Sequence, residues 1–276
     1  MSAESSSPPA PSGGAFFDLD KTLMEGSSAF QFGRAARRAG MITRRQFANS
    51  AIANLRFRVR GASDEYSIAV REAIAVSLRG VRVRDLERLG VSVLAGILPR
   101  LYPQMVAIAH DHQDAGRRVY IVTAAAHELA EKLAQVMSFD GAIGSHLSEV
   151  QDGRYTGRAT GAFIYGAAKA LAVEEIALRD GLDLSASFAY TDSASDVPML
   201  ELVGHPVAVN PDAELAALAR HRGWEVLYLD PLPRRLRMAV ALVASLGLGG
   251  AVTLIAVRVR GRRPGRPSLP AVALDR

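Results

Sequence analysis

The stretch Phe16-Phe17-Asp18-Leu19-Asp20-Lys21-Thr22-Leu23 restricts this chain more than any other. An apolar run ends in two carboxylates two positions apart, followed by a hydroxyl. Side chains of an extended segment alternate, so positions i and i+2 share a side. Asp18 and Asp20 are therefore expected to converge on one divalent cation where a buried strand (Ala15 to Asp18) ends. Arg118 to Thr123 (RVYIVT) and Ser187 to Thr191 (SFAYT) are further apolar runs that lead into polar residues, and Pro206 to Val209 and Glu225 to Leu229 read as two more short strands.

Helical patterns fall between these runs, over Pro103 to Gly116, His127 to Met137, Ala167 to Arg179 and from Pro198 to Val203, the last with proline at an early position. Strands alternating with helices imply an α/β fold with a parallel sheet. Such sheets bind ligands at the carboxyl ends of their strands. Asp18, Asp20, Thr123, Asp192 and Asp196 all fall at such ends, and Lys169 lies near the start of a helix. Ala142 and Ile143, between Gly141 and Gly144, are too short a run to assign, and Gln151 to Arg154 reads as a hairpin turn. From Ser27 to about Gly96 the pattern is helical and arginine-rich, punctuated by Gly40, Gly61, Gly80 and Gly90. Several short helices forming a lid or insertion are expected there.

The 276 residues suffice for a sizeable core. Cysteine is absent, which excludes disulfides and thiolate metal sites and suits a reducing cytosol. The formal charge is +5, carried by 30 arginines and only three lysines, Lys21, Lys132 and Lys169. Residues 1–14 are Ser/Pro/Gly-rich and read as a disordered leader without the basic and apolar regions of a secretory signal. Met238 to Val257 is 20 residues without a charge, flanked by arginines on both sides. At about 1.5 Å per residue it spans a hydrocarbon layer of about 30 Å. A C-terminal hydrophobic helix anchored in a membrane is the favoured reading, and a helix packed on the core is the other. The flanking arginines account for the basic tail, so no nucleic acid is expected.

A calcium loop is the first rival for Asp18, Asp20 and Thr22, which match its first, third and fifth ligand positions. It would need glycine at its sixth position and a bidentate carboxylate at its twelfth. Those positions hold Leu23 and Ala29, and the calcium reading fails. Phosphoryl transfer uses all the strand ends. Asp18 would attack phosphorus, and Asp20 would protonate the leaving oxygen and deprotonate the attacking water. A hard cation held by Asp18, the Asp20 carbonyl and Asp192 would be Mg²⁺. Thr123 and Lys169 would hold the phosphoryl oxygens. Each residue also has a plainer use: turn residues for Asp18 and Asp20, helix caps for Thr123, Asp192 and Asp196, a solvated helix charge for Lys169. Lys21 is expected in solvent or on a nearby carboxylate. His110-Asp111-His112 is expected at the surface, and His127 could line the site mouth.

Together these residues resemble the haloacid dehalogenase superfamily, specifically its phosphoserine-phosphatase-like branch (subfamily IB). The resemblance covers roughly residues 15–230. Its motifs stand in order as Asp18-Leu-Asp20-Lys-Thr22, Thr123 after Val119 to Val122, Lys169, and Asp192-Ser-Ala-Ser-Asp196. The resemblance implies a Rossmann-like core with a helical cap inserted after the first motif, and Mg²⁺-dependent phosphomonoester hydrolysis through an aspartyl-phosphate. It implies Asp18 as nucleophile and metal ligand, Asp20 as acid/base and ligand through its carbonyl, Thr123 and Lys169 on phosphate, Asp192 on the metal, and Asp196 supporting the metal site or Lys169. One departure stands out. Phosphoserine phosphatases carry a cap glutamate nine residues past the nucleophile to hold the substrate amine, and here that position is Ser27.

The expected organisation is a leader (1–14), a core (15–23 and 103–232), a helical cap (24–102) and a basic-flanked hydrophobic helix with its tail (233–276). The expected substrate is a small phosphorylated metabolite, phosphoserine among them, with Arg56, Arg58 or Arg60 available for its carboxylate or phosphate. Transfer to an alcohol acceptor and hydrolysis of a lipid-derived phosphate are the alternatives. The catalytic part is expected in the cytoplasm, tethered through Met238 to Val257.

Overall fold

The computed structural model describes residues 13–45 and 64–229. The leader, Arg56, Arg58, Arg60 and the segment Met238 to Val257 lie outside the described residues. No helix among the described residues is long and apolar enough to cross a membrane.

The first strand, β1 (Gly14–Phe17), leads into α1 (Ser28–Arg38). The helices α2 (Asp64–Ser77), α3 (Val83–Ile97) and α4 (Pro103–Asp114) follow, then β2 (Arg118–Ala126), α5 (His127–Val136) and β3 (Gly141–Ser145). After the two-residue strands β4 (Val150–Gln151) and β5 (Arg154–Tyr155) come α6 (Ala167–Asp180) and β6 (Phe188–Thr191). The chain continues through α7 (Val197–Glu201), β7 (His205–Val209), α8 (Ala213–Arg222) and β8 (Glu225–Leu227). Six strands form one parallel sheet in the order β3-β2-β1-β6-β7-β8. Strand order reverses at β1, and the crevice at such a reversal is where open α/β sheets bind ligands.

β1 is central and buried on both faces, so its residues are uniformly apolar. Phe16 stacks on Tyr120 on one face, beneath α6 and α7 with Val173, Ile176, Met199 and Leu200. Phe17 stacks on Tyr190 on the other, over α4 and α5 with Met105, Ala109 and Leu133. The second core continues into the helices between β1 and α4. Leu86, Leu89, Val93 and Ile97 of α3 recur at helical spacing and are buried in it. Each is worth about 1.5–3 kcal/mol for full burial.

The helical segment leaves and re-enters the core at one neck. Met24 and Leu101 form an antiparallel bridge, Tyr102 N–H donates to the Leu23 carbonyl at 2.9 Å, and Glu25 N–H donates to that of Arg100 at 2.8 Å. A second tie comes from the β4–β5 hairpin, whose turn residues Asp152 and Gly153 have φ of 52° and 71°, the left-handed pair of a type I′ turn. The Val83 N–H donates to the Gly153 carbonyl, and Tyr155 N–H to that of Val81, each at 3.0 Å.

Two local expectations change. Ala142 and Ile143 lie in β3, which among the described residues pairs on one side only, with β2. An edge strand of small residues leaves little apolar signal. His112 is buried at 5% exposure, not at the surface, because it shares the core-facing side of α4 with Met105 and Ala109.

Candidate active site

Asp18 is the first residue beyond β1. Its N–H donates to the Tyr190 carbonyl at 2.9 Å, so it stays in register with β6 before the chain turns. The turn is tight: the Leu19 carbonyl accepts from the N–H groups of Leu23 and Met24, with Lys21 at a left-handed φ of 62°. This turn sends the two carboxylates to different partners. Asp18 Oδ1 accepts from Lys169 Nζ at 2.5 Å. The carboxylate of Asp20 is held by the start of α1, accepting from Ser28 N–H at 2.8 Å on Oδ1 and from Ser27 Oγ at 3.1 Å on Oδ2. Its negative charge at a helix N-terminus is favourably placed.

Lys169 lies in the first turn of α6 and is 3% exposed. Its ammonium bridges Asp18 and Asp196, reaching Asp196 Oδ2 at 2.7 Å. Thr191, the last residue of β6, donates its hydroxyl to that same oxygen at 2.6 Å. Asp196 occupies the N-cap position of α7 but makes no side-chain cap bond, so its carboxylate is committed to the cluster. Asp192 is buried, and its Oδ2 pairs with Lys21 Nζ at 2.8 Å. Thr123, on the neighbouring strand and 2% exposed, accepts the Ala125 N–H at 3.2 Å. The N-cap of α5 is Ala126, so Thr123 does not cap that helix.

The cluster carries more buried negative charge than positive. Asp18, Asp192 and Asp196 are all buried, against the single buried ammonium of Lys169. Burial pushes Asp18 upward from the usual carboxylate range, and the carboxylates of Asp196, Asp192 and Asp20 add to this against the pull of Lys169. Burial raises Asp192 also, opposed by Lys21. Burial alone would lower Lys169, but Asp18 and Asp196 outweigh it and hold the ammonium charged.

The structure thus brings Asp18, Lys169, Asp192 and Asp196 together at the strand reversal, with Asp20 turned to α1 and Thr123 one strand away. Sequence reasoning passed over Thr191 and Ser28, and noticed Ser27 only as the position of a missing cap glutamate, not as a partner of Asp20. Thr191 could have been noticed as the hydroxyl ending the strand before Asp192. Ser28 carried no signal beyond its place after a carboxylate-bearing turn.

Residues 15–201 match the model of the haloacid dehalogenase-like hydrolases. A Mycobacterium tuberculosis protein named phosphoserine phosphatase SerB1 is 38% identical over 252 residues, covering 90% of this chain and 81% of its own length. A Bordetella pertussis protein of unknown function has a solved structure that superposes with a TM-score of 0.70 at 28% identity, covering 80% of this chain and 100% of that one. A phosphoserine phosphatase solved as a phospho-aspartyl intermediate analogue shares the fold, with a TM-score of 0.60 at 18% identity over 83% of this chain and 99% of its own. The chain belongs to the haloacid dehalogenase-like hydrolase family, and its relatives there place it among the phosphoric monoester hydrolases.

Proposed function

We propose that the chain hydrolyses a small phosphomonoester with Mg²⁺, through an aspartyl-phosphate on Asp18. The observation that carries this reading is the buried Lys169 ammonium shared by Asp18 and Asp196 at the strand reversal. Its charge opposes the burial and the neighbouring carboxylates that push Asp18 upward, which favours the ionised form a nucleophile requires, and it would set a cation beside the phosphoryl position.

The donor set fits a hard cation. Among the described residues no three acidic or histidine side chains converge as a complete metal cage. Mg²⁺ asks for less, binding through one or two carboxylates while keeping waters and phosphate oxygens. Asp18 and Asp192 with the Asp20 carbonyl would hold it, and the surplus of buried carboxylates favours such a charge. When bound it would neutralise the repulsion between a dianionic substrate and the anionic nucleophile.

The protein's own residues carry the rest. A carboxylate oxygen of Asp18 forms the new bond to phosphorus as the ester oxygen leaves with a proton from Asp20. In the second half Asp20 takes a proton from water, whose oxygen attacks phosphorus and returns Asp18 as a carboxylate. Thr123 and Lys169 donate to the phosphoryl oxygens. Ser27 and Ser28 fix the orientation of Asp20 throughout.

Phosphoserine is a candidate substrate because SerB1, the M. tuberculosis relative, bears that name. Ser27 supplies no carboxylate for its amine, so another cap residue would have to do so. The deciding experiment is Asp18→Asn assayed on an aryl phosphate with Mg²⁺. Turnover is expected to fall more than about a thousandfold with the circular dichroism spectrum unchanged. A folded variant that keeps its activity would overturn the proposal.

A further inference from the structure

Between α1 and α3 lies a cleft of about 150 Å³ that shares no lining residue with the carboxylate cluster. Its walls carry Gln31, Arg34 and Arg38 of α1, Ser92 and Gly96 of α3, and Arg100 just beyond. Gln31, Arg34 and Arg38 recur at i, i+3 and i+7 and so form one stripe along the helix. Gly96 lets the two helices close on that stripe, since a β-carbon there would stand 2.9 Å from Gln31 Oε1.

The arginines of this cleft point to a ligand. Among the described residues none of Arg34, Arg38 and Arg100 forms an ion pair. Arg100 spends one donor on the Gly96 carbonyl at 3.2 Å. Three like charges around one cleft repel, and an anion would relieve them.

We infer that this cleft binds a phosphoryl group. Arginine forks match phosphate oxygens in pairs. Three forks and an amide offer more donors than the two oxygens of a carboxylate can use, whereas a phosphoryl group presents three. The volume is about five times a water's share of liquid, enough for one tetrahedral oxyanion and part of its hydration. The source is a soluble phosphate or a lipid headgroup, and both present the same oxygens. The inference stands apart from the catalytic reading, because the cleft needs neither Asp18 nor a metal.

The test is equilibrium dialysis of the full chain against labelled inorganic phosphate in EDTA, comparing the wild type with the double variant Arg34→Gln/Arg38→Gln. Glutamine keeps most of the aliphatic stem and removes the charge. The wild type should bind, more weakly as salt rises, and the double variant at least about tenfold more weakly. Aryl phosphate hydrolysis should be unchanged in the variant. Equal binding by both proteins, or no binding by the wild type to phosphate or to phosphatidate vesicles, overturns the inference. Flotation with phosphatidate vesicles that the double variant loses would assign the headgroup as the source. Dialysis binding without such flotation would assign the soluble anion.

Discussion

Ser27 sits where phosphoserine phosphatases would have a glutamate, and its hydroxyl is committed to Asp20 at 3.1 Å. Ser27→Ala removes one charge-assisted bond from the proposed acid/base Asp20 while Ser28 N–H keeps the other. kcat should fall roughly three- to tenfold with KM little changed, as for a positioning group. Steady-state kinetics on an aryl phosphate would show this, and an effect on KM alone would contradict it. Lys169 answers to a different balance. Lys169→Met leaves Asp18 and Asp196 buried without their shared cation, and losing one partner of a buried ion pair costs on the order of 3–5 kcal/mol. In EDTA the urea midpoint of this variant should drop accordingly. Both carboxylates were visible in the sequence because motif spacing fixes residue type at strand ends. Lys169 was named as well, with Asp196 as its support, but its bond to Asp18, 151 residues away, like that of Asp20 to a helix N-terminus 8 residues on, exists only through the fold.

Elements with a strong period were legible and those whose surroundings decide were not. β1 and β6 announced themselves as apolar runs, and the helices from Ala167 and His127 begin where the sequence placed them. β2 runs on to Ala126 because its extra residues lie beside β3, a pairing that no local pattern encodes. In α4 the charged neighbours Asp111 and Asp114 masked a face on which His112 packs between sheet and helix. Its Nδ1 accepts from Arg117 Nε at 2.7 Å, so the neutral ring must donate from Nε2 to the Tyr190 hydroxyl, also 2.7 Å away. Burial, then the Arg117 charge, lowers this histidine to about 4. The unfolded chain, near 6.5, binds the proton more readily, so stability rises with pH in between. The contribution is fully present above about pH 6.5 and is lost as pH falls toward 4. It amounts to on the order of 2 kcal/mol after discounting for partial hydration. Denaturant melts between pH 4 and pH 7 should show this slope in the wild type and a shallower one in His112→Phe.

Across the whole molecule, two buried carboxylates, Asp18 after β1 and Asp196 at the start of α7, share one buried lysine, and a third, Asp192 after β6, pairs with Lys21. A cation that binds only the folded arrangement stabilises it by mass action, about 2.7 kcal/mol at a hundredfold excess over its dissociation constant. Mg²⁺ should therefore raise the melting temperature, EDTA should reverse the rise, and Asp192→Ala should lose most of it. A thermal shift that persists in Asp192→Ala would place the ion elsewhere. The sheet order also bears on how the chain is made. β1 is synthesised first yet sits in the middle, and its partner β6 begins about 170 residues later. At about 5–20 residues per second, a ribosome needs roughly ten to thirty seconds to supply that partner. During this interval β1, wholly buried in the finished fold, has an open edge, exposed to chaperones and to neighbouring nascent chains.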